Sequence, residues 1–162
     1  MVVRQMGTGK GIGNKGVNMG SKKMVVFGYG ARGQIYAAFA KKYPEKFDLV
    51  AVIENDPARI ELAKKTFNNK VPVYAAYQEF LRDKIEADIV AVATQDEQHK
   101  EHSIAMMAAG YDLLLEKPIA NKREDCIAIY QASQQYNRKV VVCHVLRYSP
   151  FYSKILFSLF VG

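Results

Sequence analysis

"VVFGYGARGQIYAAFAKKY", residues 25–43, decides the fold. An apolar run enters a loop built on Gly28, Gly30 and Gly33, and a helix-forming stretch leaves it. The spacing G-x-G-x-x-G has a mechanism. The first glycine turns tightly off a strand, the second lets backbone approach a pyrophosphate, and the third lets the following helix pack close to the sheet. Phosphates then meet the unpaired N–H groups and the positive end of that helix. The same spacing occurs earlier, as Gly11, Gly13 and Gly16 in GIGNKG. There the flanking RQMGTGK is no strand and VNMGSKK is no helix. Lys15 is also followed by Gly16, not by the Ser or Thr of a P-loop. GYGARG is therefore the working copy, and GIGNKG a product of glycine-rich composition.

A dinucleotide loop needs an acid about 20 residues further on, at the end of the second strand, to accept a hydrogen bond from a ribose 2′-OH. Glu54 closes the run LVAVI 21 residues after Gly33. A carboxylate there repels the extra phosphate of NADP, so it favours NAD. Arg32 in the loop and Arg59 nearby keep NADP open, because an arginine pairs well with a phosphate.

Outward from this unit, short apolar runs alternate with longer amphipathic ones. Strands are predicted over 23–28, 48–54, 71–74, 88–93, 111–116 and 139–144. Helices are predicted over 33–43, 57–68, 77–85, 97–109 and 122–137, where apolar residues recur at three and four. Runs such as VAVI and VVVC do not alternate, which suits strands covered on both faces. Ile35, Ala38, Phe39 and Tyr43 are expected on one apolar face of the first helix, and Phe80–Leu81 and Met106–Met107 in the core. Asp56 or Asn55 should cap the helix opened by Pro57, and Gly110 should end the helix before it. The fold class is α/β: a doubly wound, parallel six-stranded Rossmann sheet in the order 3-2-1-4-5-6, with the ligand at the carboxyl ends of its strands.

Composition sets the remaining bounds. The 162 residues carry a net charge of +7 and 49% hydrophobic residues. Residues 1–24 hold five of the bases and no acid, so the other 138 residues carry 18 bases against 16 acids. That body is too nearly neutral for a nucleic-acid footprint, which should cluster on a folded face. Residues 1–22, with six of the eleven glycines, are expected to be a disordered basic leader. Residues 23–148 are the expected dinucleotide-binding domain, and 149–162 the start of a linker or helix. No apolar run is long enough for a membrane span and no secretory h-region opens the chain, so a cytoplasmic location is expected. Cys126 and Cys143 form no disulfide framework and are expected to be buried thiols. His99-x-x-His102 has ligand spacing on a helix, but no further ligands accompany it; no metal is expected, and His102 is read as a helix-surface residue. His144 either faces the cleft or packs against the end of the sixth strand.

Two further stretches, "VATQDEQHKEHSIAMMAAGYDLLLEKPIA" (92–120) and "KVVVCHVLRYSPFY" (139–152), complete the pattern. From residue 23 to 153 the chain resembles the glucose–fructose oxidoreductase / inositol dehydrogenase-like (Gfo/Idh/MocA) oxidoreductases. These show GxGxxG, an acid ending the second strand, a V-A-T segment with a nearby His, an aliphatic-Glu-Lys-Pro motif after the fifth strand, and Arg–aromatic–x–Pro after the sixth. The resemblance implies that Gly28, Tyr29, Gly30, Ala31, Arg32 and Gly33 hold the phosphates and Glu54 the ribose. It implies that Thr94 and Gln95 line the nicotinamide half, although Gln95 stands where many relatives have proline. His99, Glu116, Lys117, Pro118 and Arg147 complete the implied cofactor site, with Lys117 beside nicotinamide and substrate and Pro118 often cis.

The implied reaction is hydride transfer between a nicotinamide cofactor and a sugar, cyclitol or related polyol. Lys117, expected to be partly desolvated at a strand's carboxyl edge, can hold the substrate oxygen or shuttle its proton; a surface lysine paired with Glu116 is the plainer reading. Relatives continue for about as long again, with a second α+β domain that carries the substrate pocket, an oligomer interface and a histidine base. No such segment is visible in these residues. The chain is therefore expected to bind cofactor without efficient turnover, with its apolar end, "SKILFSLFVG" (153–162), open to self-association. A non-catalytic nucleotide-binding or NAD-sensing module is the alternative.

Overall fold

The computed structural model describes residues 20–145, 149–151 and 154. The leader with the GIGNKG copy, Arg147 and most of the final stretch lie outside the described residues.

Six parallel strands form one sheet: β1 (Lys22–Phe27), β2 (Phe47–Ile53), β3 (Val73–Tyr74), β4 (Ile89–Val92), β5 (Asp112–Leu115) and β6 (Val140–Val142), in the order β3-β2-β1-β4-β5-β6. Five α-helices connect them: α1 (Ala31–Lys42), α2 (Pro57–Thr66), α3 (Tyr77–Asp83), α4 (His99–Ala108) and α5 (Arg123–Gln135). The order reverses between β1 and β4, so a crevice opens at their carboxyl ends.

Alternate strand residues feed two cores. Met24, Val26, Val52 and Ala91 pack with Ala37 and Ala40 of α1 and Ala63 of α2. Val25, Phe27, Ile53, Val90, Val92, Leu113 and Leu115 pack with Phe80 of α3, Met106 and Met107 of α4, and Ile129 and Ala132 of α5. Both faces are covered, which is why these runs do not alternate in sequence. The Phe80 and Met106–Met107 readings hold.

The first helix departs from its expected face. Its buried residues are Gly33, Ala37 and Ala40, while Ile35 is 56% and Phe39 41% exposed. A Cβ built on Gly33 would lie 1.8 Å from the Gly28 carbonyl oxygen, an impossible contact. The helix axis is thus so near the sheet that only Gly and Ala fit the facing stripe, and the large apolar residues are turned outward. Gly28 is equally constrained: its φ is +91°, and its Cβ would meet the Ala93 carbonyl oxygen at 2.5 Å.

Helix ends follow local chemistry. Asp56 caps α2 by accepting the Arg59 N–H at 3.0 Å, with Pro57 in the first turn. After α4, Gly110 (φ +96°) donates to the Met107 carbonyl and Tyr111 to that of Met106, a Schellman closure. The third strand is shorter than expected, and a 3-10 turn over Asp96–Gln98 precedes α4. The sixth strand ends at Val142, so His144 lies beyond it, exposed. Cys143 is buried as expected, but Cys126 only half so; both are free thiols.

Gly33→Ala forces backbone apart at the strand–helix turn and should cost roughly 3 kcal/mol or more. Gly110→Ala meets open space but keeps a positive φ, and should cost about 1 kcal/mol. Thermal melts of the two variants check this; equal losses would contradict the close-packing account.

Candidate functional site: the carboxyl edge of the sheet

The loops leaving β1, β2, β4 and β5 converge on the switch point. A crevice of about 270 Å³ is lined by Gly28, Gly30, Ala31, Arg32, Glu54, Arg59, Thr94 and Gln95. An adjoining hollow of about 240 Å³ shares Gly28, Glu54, Asn55, Thr94 and Gln98, and adds Phe27, Ile53, Tyr77 and His102. A larger groove of about 800 Å³ runs between α5 and β6 and contains none of the expected site residues. Size alone would mislead here; the convergent polar groups mark the smaller crevice.

The α1 N-terminus faces that crevice uncapped. Gly30 stands at its cap position, no side chain caps it, and its first turn holds no acid. Its free N–H groups and positive dipole end suit a phosphate. Gly30 differs from its two partners: a Cβ there would meet only the Arg59 guanidinium, at 3.8 Å. The protein itself does not require glycine at this position, so the open space in front of it is left for something else.

Glu54 lies just past β2, 5% exposed. Its Oε2 accepts the Tyr29 N–H at 2.6 Å, and its Oε1 accepts those of Asn55 at 2.8 Å and Asp56 at 2.9 Å. Arg59 stands 3.8 Å from Oε2. Three charge-assisted bonds offset the cost of burying the carboxylate. A carboxylate has about four acceptor positions, so one on Oε2 remains for a hydroxyl.

A second buried carboxylate, Glu116, mirrors the first on the other side of the loop. It is 5% exposed, accepts the Tyr36 hydroxyl on Oε1 and its own neighbour's Lys117 N–H on Oε2 at 3.2 Å, and has Arg32 Nε at 4.0 Å. Burial pushes the Tyr36 hydroxyl well above the ordinary tyrosine range, helped by its bonds to Cys143 and Glu116. Burial likewise raises the Cys143 thiol. The two arginines thus sit over buried glutamates with their heads half exposed in and beside the crevice, favourable ground for a diphosphate.

The histidines organise loops. His99, 1% exposed, places Nδ1 2.8 Å from the Pro118 carbonyl and Nε2 3.3 Å from that of Thr94, joining the β4 and β5 loops from behind. It is thus enclosed, supporting the site rather than lining the crevice. His102 corrects the surface reading: it is 8% exposed, stacked on Phe27 at 4.2 Å, edge-on to Tyr77, with Nδ1 3.1 Å from the Thr94 hydroxyl. Its imidazole acts here as an aromatic core residue with one polar handle. Among the described residues no cluster of His, Cys, Asp and Glu could hold a metal.

Lys117 lies at the same edge, followed by a cis peptide bond to Pro118. Its side chain is exposed, so the partial desolvation expected of it is not present. It makes no ion pair with Glu116, which is engaged by Tyr36 and Arg32 instead. Sequence reasoning missed Tyr36, Cys143, Tyr77 and Gln98; none belongs to a motif, and each arrives through tertiary placement.

Comparison with known proteins bears on the family and the fold. A family model described as an oxidoreductase family with an NAD-binding Rossmann fold matches residues 22–144. The Bacillus subtilis oxidoreductase candidate YteT is 30% identical over 141 residues, covering 82% of this chain and 32% of its own. An inositol 2-dehydrogenase of Acidothermus cellulolyticus is 28% identical over 133 residues, covering 82% and 38% respectively. Among solved structures, the WlbA dehydrogenase of Bordetella pertussis, in complex with NADH and UDP-GlcNAcA, shares the fold at a TM-score of 0.79 and 17% identity, covering 86% of this chain and 42% of that one. A myo-inositol 2-dehydrogenase of Lactobacillus plantarum gives 0.75 at 21% identity, covering 86% and 41%. The matched stretch spans about a third of the length of these curated relatives.

Burial lowers the His102 imidazole below its ordinary value, aided by His99 and opposed by Glu101. The unfolded chain takes up that proton at about pH 6.5, whereas the folded one resists it. Stability should therefore hold above that pH and fall as pH drops through it. Denaturant midpoints at pH 7.5 and 5.5 should show a smaller drop in His102→Phe than in the parent; equal drops would assign the acid sensitivity elsewhere.

Proposed function

The chain belongs to the Gfo/Idh/MocA oxidoreductase family, and from that premise we propose that it binds NAD across the carboxyl edge of its sheet. Lys117 is the residue proposed to act on substrate. The observation that carries the reading is the empty space before Gly30, at an uncapped helix end, between two arginines. Gly28 and Gly33 are explained by packing, and Gly30 is explained only by a ligand that needs backbone close to it. The remaining acceptor position on Glu54 then takes the adenosine ribose, and the other half of the dinucleotide runs past β1 toward β4 and β5.

The residues fit that group. Main-chain N–H groups at Ala31–Gly33 and the Arg32 and Arg59 heads meet the diphosphate. Thr94 and Gln95 flank the path toward Glu116 and Lys117. The carboxylate of Glu54 disfavours a 2′-phosphate, so NAD is preferred, while Arg59 leaves NADP measurable affinity. When bound, the nicotinamide supplies hydride chemistry. Lys117 contributes the protein's part: its ammonium donates a hydrogen bond to a ketone oxygen and can return the proton, and its neutral amine takes the proton of an alcohol hydroxyl.

The proposed substrate class is a sugar, cyclitol or related polyol. The presence of inositol 2-dehydrogenases among the relatives supports it. Lys117 is exposed, and it lines none of the cavities described above. Turnover by this stretch alone is therefore proposed to be negligible, since positioning supplies much of an enzyme's rate.

Titration calorimetry of the chain should show NAD binding about tenfold tighter than NADP. Gly30→Ala should melt within about 1 kcal/mol of the parent yet bind NAD at least about tenfold more weakly, because its methyl occupies ligand space. Glu54→Gln should weaken NAD and narrow the preference over NADP. Full NAD affinity in Gly30→Ala would contradict the reading.

A further inference from the structure

Tyr36 carries a role that the dinucleotide motif does not record. It lies on α1 one turn beyond Gly33, so the helix that offers its N-terminus to the crevice also holds this ring. Its hydroxyl donates to Glu116 Oε1 at the end of β5 and stands 3.0 Å from Cys143 Sγ at the end of β6. Glu116 in turn holds the main-chain N–H of Lys117 with Oε2 at 3.2 Å. One phenol therefore joins α1 to the ends of β5 and β6, across sequence separations of 80 and 107 residues.

The arrangement has a counterpart. Glu54 ties the glycine loop, at the Tyr29 N–H, to the end of β2. Glu116 lies on the opposite side of the same loop, where α1 has no main-chain N–H to offer, because those beyond its first turn serve the helix. A side chain must span the gap. Tyr36 is long enough, is rigid, and stays a hydrogen donor because burial keeps its proton on. Phenylalanine would pack equally well, so packing alone does not account for the hydroxyl.

We propose that Tyr36 is a positioning residue for the nicotinamide side of the site: it fixes Glu116, and through Glu116 the main chain that presents Lys117. The proposal rests on the reading that a dinucleotide lies across this edge with its ribose at Glu54. Tyr36 touches neither cofactor nor substrate in it. Its effect is confined to the nicotinamide ring at the far end of the cofactor.

Two ligands isolate that ring. ADP-ribose keeps adenosine, diphosphate and the second ribose, and lacks only nicotinamide. Titrating the full chain with NADH and with ADP-ribose, Tyr36→Phe should weaken NADH roughly threefold to tenfold and leave ADP-ribose within about twofold of the parent. Glu54→Gln should weaken both ligands. Loss of both in Tyr36→Phe would reduce the residue to a structural part of the fold, and loss of neither would show that the hydroxyl does nothing for the site; either result overturns the proposal. Wild-type chain that binds neither ligand, or Glu54→Gln that binds both unchanged, overturns the dinucleotide reading itself. If Tyr36→Phe does not fold, Glu116→Gln is the second variant. It weakens the same hydrogen bond from its acceptor end but also releases Arg32, so it is read as a ratio: NADH should weaken at least about threefold more than ADP-ribose, and equal changes in both ligands would overturn the proposal.

Discussion

The structure depends on one contact: the α carbon of Gly33 against the carbonyl oxygen of Gly28. No side-chain atom fits between them, since a Cβ would stand 1.8 Å from that oxygen. The contact sets the distance of α1 from the sheet, and the rest follows from it. Ala37 and Ala40 are small because the helix is close. The N-terminus of α1 lies directly over the switch point between β1 and β4, where its unpaired N–H groups face the crevice. The first turn must stay free of a capping side chain for this end to receive a phosphate, and Gly30 supplies that bareness.

Around that contact the carboxyl edge is held by buried and half-buried polar side chains. Glu54 ties the β1 loop to β2; Tyr36 and Glu116 tie α1 to β5 and β6; His99 ties the β4 loop to the β5 loop; His102 reaches the Thr94 hydroxyl. Each group would be costly to bury alone, and each has a main-chain or side-chain partner within hydrogen-bond reach. A binding edge built from loops needs such ties, because loops lack the ladder hydrogen bonds that hold strands. Arg32 and Arg59 then lie over the two glutamates. The buried charges are balanced, and the cationic heads remain available to an anionic ligand.

Much of the fold was legible in the sequence for definite physical reasons. Uninterrupted apolar runs mark strands covered on both faces, and the glycine spacing marks the strand–helix turn, so the order of elements and the sheet topology could be read. The position of Glu54 follows from strand length. The buried face of α1 could not be read from hydrophobicity, because the close approach inverts the usual rule: Ile35 and Phe39 point outward and the alanines inward. His102 was misread for a similar reason. A histidine one turn after His99 looks like surface unless one knows that Phe27 and Tyr77 stand beside it. Tyr36 had no signal at all, since its partners lie 80 and 107 residues away. Side-chain placement across strands is a property of the assembled edge and leaves no local pattern.

The central claim is that the crevice at the switch point is the cofactor site and the larger α5–β6 groove is not. Amide chemical-shift mapping of the labelled chain during an NADH titration tests it most directly. The account predicts saturable shifts at Gly30, Ala31, Gly33, Asn55, Thr94 and Lys117, with Lys22, Asp88 and Lys139 at the opposite edge unmoved. Shifts concentrated on Tyr130, Ser133, Asn137 and Val140, which line the other groove, would contradict it.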